Sequence, residues 1–200
     1  MRAARAGLVL ALLGVLMVTG VVAATNFGGP RDAGVHCDTT PSSQCVANNA
    51  SHTVYFEYAT SALRDATLWA MTNYNNVAPP IDMAEVFPPA TDRDVTVRGD
   101  YVGYTGWWAA TMCATNASYG GAESPLPGTR WCRPQILQFN RTYEASKYPT
   151  TTNKRAVACH ELGHTVGLQH TTSTTSCMRS GNQTVTTTNS HDRAHIADYY

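Results

Sequence analysis

The chain has 200 residues, with 14 basic and 14 acidic side chains and a charged fraction of only 14%. This length suits a single domain. No run or stripe of basic residues occurs, so nothing indicates binding to nucleic acid or to an anionic membrane surface, and we expect neither as a partner.

The first 24 residues have the three-part pattern of a secretory signal peptide. Arg2 and Arg5 give a positively charged start, residues 6–22 are almost all apolar or small, and Val22-Ala23-Ala24 offers small residues for cleavage. An uncleaved membrane anchor is the alternative, because the apolar run is only just short of the roughly 20 residues that span a bilayer. After cleavage we expect a secreted, extracellular protein without membrane contact.

The residues that follow predict an irregular segment and then a mixed set of elements. Residues 25–50 contain Gly28-Gly29-Pro30 and read as irregular, so the domain proper is assigned to residues 51–200. Alternating polarity predicts a strand over residues 52–59, and helical spacing predicts a helix over residues 61–75, capped by Thr60 or Ser61. Two more strands are predicted over residues 95–102 and 136–140.

The last third of the chain predicts two helices separated by a loop. Thr152 or Asn153 caps a helix that runs through Val166, where Gly167 ends it. Residues 171–188 are polar and rich in threonine, which is typical of a loop. Ser190 then caps a final helix that reaches Tyr200.

Six cysteines are even in number, as expected for disulfides in an exported chain. They form three sequence-local groups: Cys37 with Cys45, Cys113 with Cys132, and Cys159 with Cys177. Local pairing is our hypothesis, although the sequence does not fix the connectivity. Zinc–thiolate binding is the competing use, but the chain has no Cys-x-x-Cys pair.

Residues 160–170 read HELGHTVGLQH. His160 and His164 are four apart, so on a helix both imidazoles lie on one face and can reach one ion. Glu161, beside that pair, can take a proton from a bound water without ligating the metal. Gly167 permits the positive φ that turns the chain back, so that His170 arrives as a third ligand.

This donor set predicts catalytic rather than structural zinc. Three neutral nitrogen ligands leave the fourth tetrahedral position open for water, whose pKa zinc lowers to about 7. Glu161 would serve as general base and then return the proton to the leaving amine. A short His-Glu-x-x-His match often arises by accident, but this pattern is longer and lies on a predicted helix that ends at a glycine. The sequence therefore predicts a hydrolase with one catalytic Zn²⁺.

The same stretch resembles the metzincin zinc signature in full. The resemblance implies an α+β zincin catalytic domain, with a twisted mixed sheet, an active-site helix, a methionine-bearing turn (the Met-turn) and a C-terminal helix. It implies a zinc endopeptidase that acts on protein or peptide substrates. Met178 would be the methionine of the turn, packed beneath the three imidazoles and not a ligand. A Cys159–Cys177 disulfide would tie this turn to the helix.

Within the metzincins the chain looks most like the matrixins and the small secreted bacterial members. Ser180 stands where astacin-like and serralysin-like proteins usually carry a tyrosine, so no further metal ligand is expected. Asp192, Ile196 and Tyr200 repeat a spacing seen at the end of matrixin catalytic domains. Residues 103–107 resemble the segment around the edge strand that pairs with the substrate main chain.

Several alternatives stay open on the sequence. Matrixin precursors block zinc with a propeptide cysteine, and Cys37 precedes the domain, but its sequence context differs and Cys45 is a ready partner. Scattered aspartates leave structural Ca²⁺ open, although no loop spacing indicates it. A non-catalytic binding module and a zinc amidase for cell-wall peptides are the competing functions; Glu161 favours an enzyme. We expect a monomer.

Overall fold

The protein is described by a computed structural model covering residues 47–78, 80–87, 92–121, 130–181 and 184–200. In chain order its elements are β1 (Ser51–Tyr58), α1 (Ser61–Val77), β2 (Asp82–Glu85), β3 (Val95–Asp100), β4 (Ala109–Gly121), β5 (Arg130–Asn140), a 3₁₀ turn (Arg141–Tyr143), α2 (Glu144–Lys147), α3 (Thr151–Thr165) and α4 (Ser190–Tyr199). This is an α+β arrangement, which confirms the predicted fold class. The expected signal peptide, Cys37 and Cys45 lie outside the described residues.

The described strands form one mixed sheet in the order β2-β1-β3-β5-β4. All neighbours pair in parallel except β4, which runs antiparallel to β5. The three neighbouring parallel strands β1, β3 and β5 each contribute a side chain to the core: Val54, Val97 and Phe139 are fully inaccessible to solvent. β4 stands at one edge of the sheet, beside α3.

The three main helices begin at polar caps. Thr60 caps α1 by accepting a hydrogen bond from Leu63 N, as predicted. In α3, however, Thr150 is the cap and Asn153 is its reciprocal partner in a capping box, so the predicted cap, Thr152 or Asn153, was two or three residues late. α4 is likewise capped by Asn189 and not by Ser190. In each box the residue three positions after the cap returns a bond to the cap N–H.

Two strands were missed by the sequence pattern. β2 has four residues, and β4 reads AATMCATNASYGG, a run of small and polar residues with weak strand propensity. β4 owes its conformation to pairing along β5 and to the Cys113–Cys132 disulfide. β5 also begins earlier than predicted, at Arg130. In the described part of the chain, no helix has the length and apolar character needed to cross a membrane.

Candidate metal centre

The site is built on the end of α3 and the turn that follows it. α3 ends at Thr165, and Gly167 has φ 94°, in the left-handed region. Gly167 N donates to His164 O (3.0 Å) and Leu168 N donates to Gly163 O (2.9 Å), which closes the helix end. The chain then reverses and brings His170 back beside α3. A residue with a Cβ would be strained at position 167, which explains the glycine.

Three imidazoles converge at this point. The Nε2 atoms of His164 and His170 each lie 3.1 Å from His160 Nε2. Their candidate ligand atoms all fall within 4.8 Å of one another. Zinc bound tetrahedrally at about 2.0–2.1 Å places nitrogen ligands about 3.3 Å apart, so the spacing is close to what a zinc ion needs.

The other ring nitrogens set the tautomers. His160 Nδ1 lies 2.7 Å from Cys177 O, and His164 Nδ1 lies 2.7 Å from Leu168 O. A carbonyl only accepts, so each Nδ1 carries the proton and donates it. The Nε2 lone pairs are then free to face a cation, which is the usual arrangement of zinc-ligating histidines.

All three imidazoles are held in the neutral form. Burial lowers the pKa of His160 to about 4, partly opposed by its bond to the Cys177 carbonyl. Burial also lowers the pKa of His164 well below its ordinary value, and that of His170 to a lesser degree. Only neutral imidazole ligates metal, so protons compete weakly with zinc near neutral pH. The residues present therefore fit a zinc ion.

Glu161 lies beside this cluster and is 5% exposed. Burial raises its pKa to about 8, and the Thr111 hydroxyl, 3.0 Å from Oε2, acts in the opposite direction. A divalent cation held by the neighbouring imidazoles would favour the ionised carboxylate. The protonation state of the Glu161 carboxylate would therefore depend on whether a metal ion occupies the three-histidine cluster.

A cleft of about 320 Å³ opens over these groups. Its lining includes the start of β4 (residues 109–111), the segment just before it (residues 106–108), and Ser180 and Gly181. His160, Glu161, His164 and His170 all line it. A volume near the lower end of ligand pockets, about 300–1,000 Å³, admits a few side chains at a time.

Met178 packs against α3 at Gly163. It is fully buried, and a Cβ at Gly163 would lie only 2.2 Å from Met178 Sδ. Gly163 lies between His160 and His164 on the helix. The Met178 thioether occupies the space that a side chain at position 163 would need. Tyr74 Oη, which donates to Cys159 O (2.9 Å), fills the same region.

The methionine turn is anchored to α3 and to α4. Cys177 is disulfide-bonded to Cys159, and its carbonyl also orients His160. Ser176 Oγ donates to Asp192 Oδ2 (2.5 Å) and accepts from Met178 N (2.9 Å). The final helix therefore supports the turn through one buried carboxylate.

Sequence analysis missed three supporting side chains, Thr111, Tyr74 and Ser176. Thr111 lies 50 positions from the Glu161 that it contacts, and Tyr74 lies 85 positions from Cys159. Single polar residues on separate elements form no local sequence pattern. Their contacts with the site therefore could not be predicted without the tertiary structure. Among the other histidines, His52 in β1 lies 3.0 Å from Thr165 Oγ1 and is not part of the three-histidine cluster.

Comparison with known families agrees with this geometry. The family model described as Matrixin matches residues 45–200, which include the whole site and the sheet. Comparison with curated protein sequences gives no match. Because the family match covers most of the chain, the protein belongs to the matrixins, a family of zinc-dependent metalloendopeptidases.

Proposed function

We propose that the protein is a secreted endopeptidase in which His160, His164 and His170 hold the zinc and Glu161 is the general base. Family membership supplies the zinc-dependent peptidase activity on protein or peptide substrates. The observation that carries the residue roles is the convergence of three neutral imidazoles in one cleft with a buried carboxylate.

The chemistry divides between the metal and the chain. When bound, zinc lowers the pKa of a coordinated water to about 7 and polarises the scissile carbonyl. Glu161 accepts a proton from the attacking water and returns it to the leaving amine. The Thr111 hydroxyl, 3.0 Å from Oε2, restricts the rotation of the Glu161 carboxylate and so keeps it aimed into the cleft.

Replacement of the base tests this assignment. Glu161→Gln keeps the shape of the side chain but cannot accept a proton at neutral pH. We expect about one zinc per chain, as in the parent, with kcat reduced at least about a hundredfold. Metal content and peptide hydrolysis are measured on the same preparation.

The matched control is Glu85→Gln, at the far edge of the sheet, where Glu85 pairs with Arg64. It should leave kcat unchanged. A zinc-loaded Glu161→Gln that cleaves at near the parental rate would show that the base lies elsewhere. His164→Ala should lose zinc, and full occupancy in that variant would refute the ligand assignment.

Export and oligomeric state are tested on the full chain. Mass spectrometry of protein from the culture medium should give a mature N-terminus after Ala24. Recovery of the intact chain in the membrane fraction would instead support the anchor.

We also propose that the protein is a monomer, because all three imidazoles come from one chain. Analytical ultracentrifugation at two protein concentrations tests this proposal.

A further inference from the structure

The connection between β3 and β4, residues 101–108, exposes two large aromatic side chains. Tyr101 is 71% exposed and Tyr104 is 88% exposed. Exposed apolar residues that stand singly need no explanation, but grouped ones often mark a contact surface. These two lie on one short connection that leads directly into the wall of the cleft.

This connection is held in place by a buried side chain. Asn140 is fully buried, and its Nδ2 donates to Gly103 O (2.8 Å) and to Thr105 Oγ1 (3.0 Å). Its Oδ1 accepts from Val102 N (3.3 Å). Gly103 N also donates to Thr142 Oγ1 (2.9 Å). The tyrosines therefore stand on a fixed backbone, which lowers the entropy lost when a ligand binds.

Tyr104 is coupled to the cleft wall through Tyr143. The two rings pack edge-on with centroids 5.7 Å apart. The same Tyr143 hydroxyl accepts from Gly106 N (2.9 Å), and Gly106 and Trp107 line the cleft. The exposed ring of Tyr104 is therefore linked through Tyr143 to Gly106 in the cleft wall, and we infer that it extends this wall outward.

The direction of β4 relates this extension to one flank of a peptide. The Thr111 hydroxyl contacts Glu161. Thr111 therefore marks the level along β4 at which the scissile bond of a bound peptide would lie. A peptide that pairs antiparallel with β4 runs with its C-terminal flank toward residue 109 and the connection before it. Residues 107 and 104 precede Thr111 by four and seven positions, and the positive φ at Gly103 and Gly106 makes this path shorter than an extended strand. At about 3.3–3.4 Å per residue of an extended peptide, we therefore place the third to fifth residues after the scissile bond at the level of residues 104–107.

We propose that Tyr104 determines specificity by contacting an aromatic or large apolar side chain three to five residues beyond the scissile bond. This inference rests on the proposed peptidase site. A ring stacked on Tyr104 gains an aromatic pair on a preformed surface, which corresponds to a preference of about two- to tenfold.

The test uses peptides that differ only by Phe or Ala at the third, fourth or fifth position after the cleaved bond, with a second set varied at the equivalent positions before it. kcat/KM is measured for the parent, Tyr104→Ala and Tyr104→Phe. The control is Phe87→Ala, since Phe87 is 72% exposed and follows β2 at the opposite edge of the sheet. We expect the parent, Tyr104→Phe and Phe87→Ala to prefer Phe after the cleaved bond. Tyr104→Ala should lose that preference, so that its kcat/KM for the phenylalanine peptides falls to its value for the alanine peptides.

Binding separates this inference from the proposed function. Dissociation constants of the same peptides for zinc-loaded Glu161→Gln, with and without Tyr104→Ala, report on the contact when no bond is cleaved. The inference would be overturned if the Phe preference survived Tyr104→Ala or occurred only before the cleaved bond. It would also be overturned if the parent protein, which has tyrosine at position 104, showed no Phe preference. A parent that binds these peptides but cleaves none would contradict the peptidase site alone.

Discussion

Gly163→Ala should destabilise the protein, although alanine is the better helix former. Gly163 lies inside α3, between two of the candidate zinc ligands. A Cβ there would fall 2.2 Å from Met178 Sδ, 2.6 Å from Tyr74 Oη and 3.0 Å from Met178 Cε. Met178 and Tyr74 are both fully buried, so neither can move into solvent.

Two opposing effects decide the magnitude. Alanine in place of glycine inside a helix stabilises by about 1 kcal/mol. Forcing a methyl group into a packed core costs about 1–3 kcal/mol. Displacing Tyr74 Oη also weakens its bond to Cys159 O, which contributes about 0.5–1.5 kcal/mol. Steric crowding therefore outweighs helix propensity, and we expect a net loss of about 2 kcal/mol. Zinc affinity should fall as well, because Met178 packs against Gly163, which lies between the candidate ligands His160 and His164.

Denaturant unfolding of the zinc-loaded, disulfide-intact protein measures the stability change, and competition with a chelator measures zinc affinity. The matched control places Gly163→Ala in a Met178→Ala background, where the crowded thioether is gone. There the alanine should cost at least about 1 kcal/mol less, a coupling typical of contacting residues. A Gly163→Ala protein as stable as the parent, with unchanged zinc affinity, would refute the packing argument.

Two further predictions concern buried polar groups. Burial lowers the pKa of His52 to about 4. Between about pH 6.5 and pH 4 the unfolded chain therefore binds more protons than the folded chain. The free energy of unfolding falls as pH falls through that window. From pH 7 to pH 5.5 the parent should lose about 1 kcal/mol more free energy of unfolding than His52→Gln, with both proteins zinc-loaded; parallel losses would contradict this. Asp192→Asn should cost about 2 kcal/mol and speed zinc dissociation, because Asp192 anchors Ser176 within the methionine turn. Asp198→Asn, exposed on the same helix, is the control, and equal behaviour of the two variants in thermal unfolding and chelator competition would exclude the anchoring role.

Local features of the site could be predicted from the sequence because they depend on short separations. The four-residue spacing of His160 and His164 defines one helix face whatever surrounds it. Gly167 has the positive φ expected of it, and His170 returns to the other two imidazoles. The family resemblance depended on these same residues, and the match over residues 45–200 confirms it.

What surrounds the ligands was decided only by the tertiary structure. β4 has little strand propensity of its own, and its pairing with β5 brings Thr111 to Glu161. Tyr74 reaches Cys159 because α1 packs on α3, and the buried bond between Ser176 and Asp192 forms because α4 lies against the methionine turn. Each of these bonds joins residues from different elements, and the free energy that holds it comes from burial in the assembled core, which no local sequence pattern encodes.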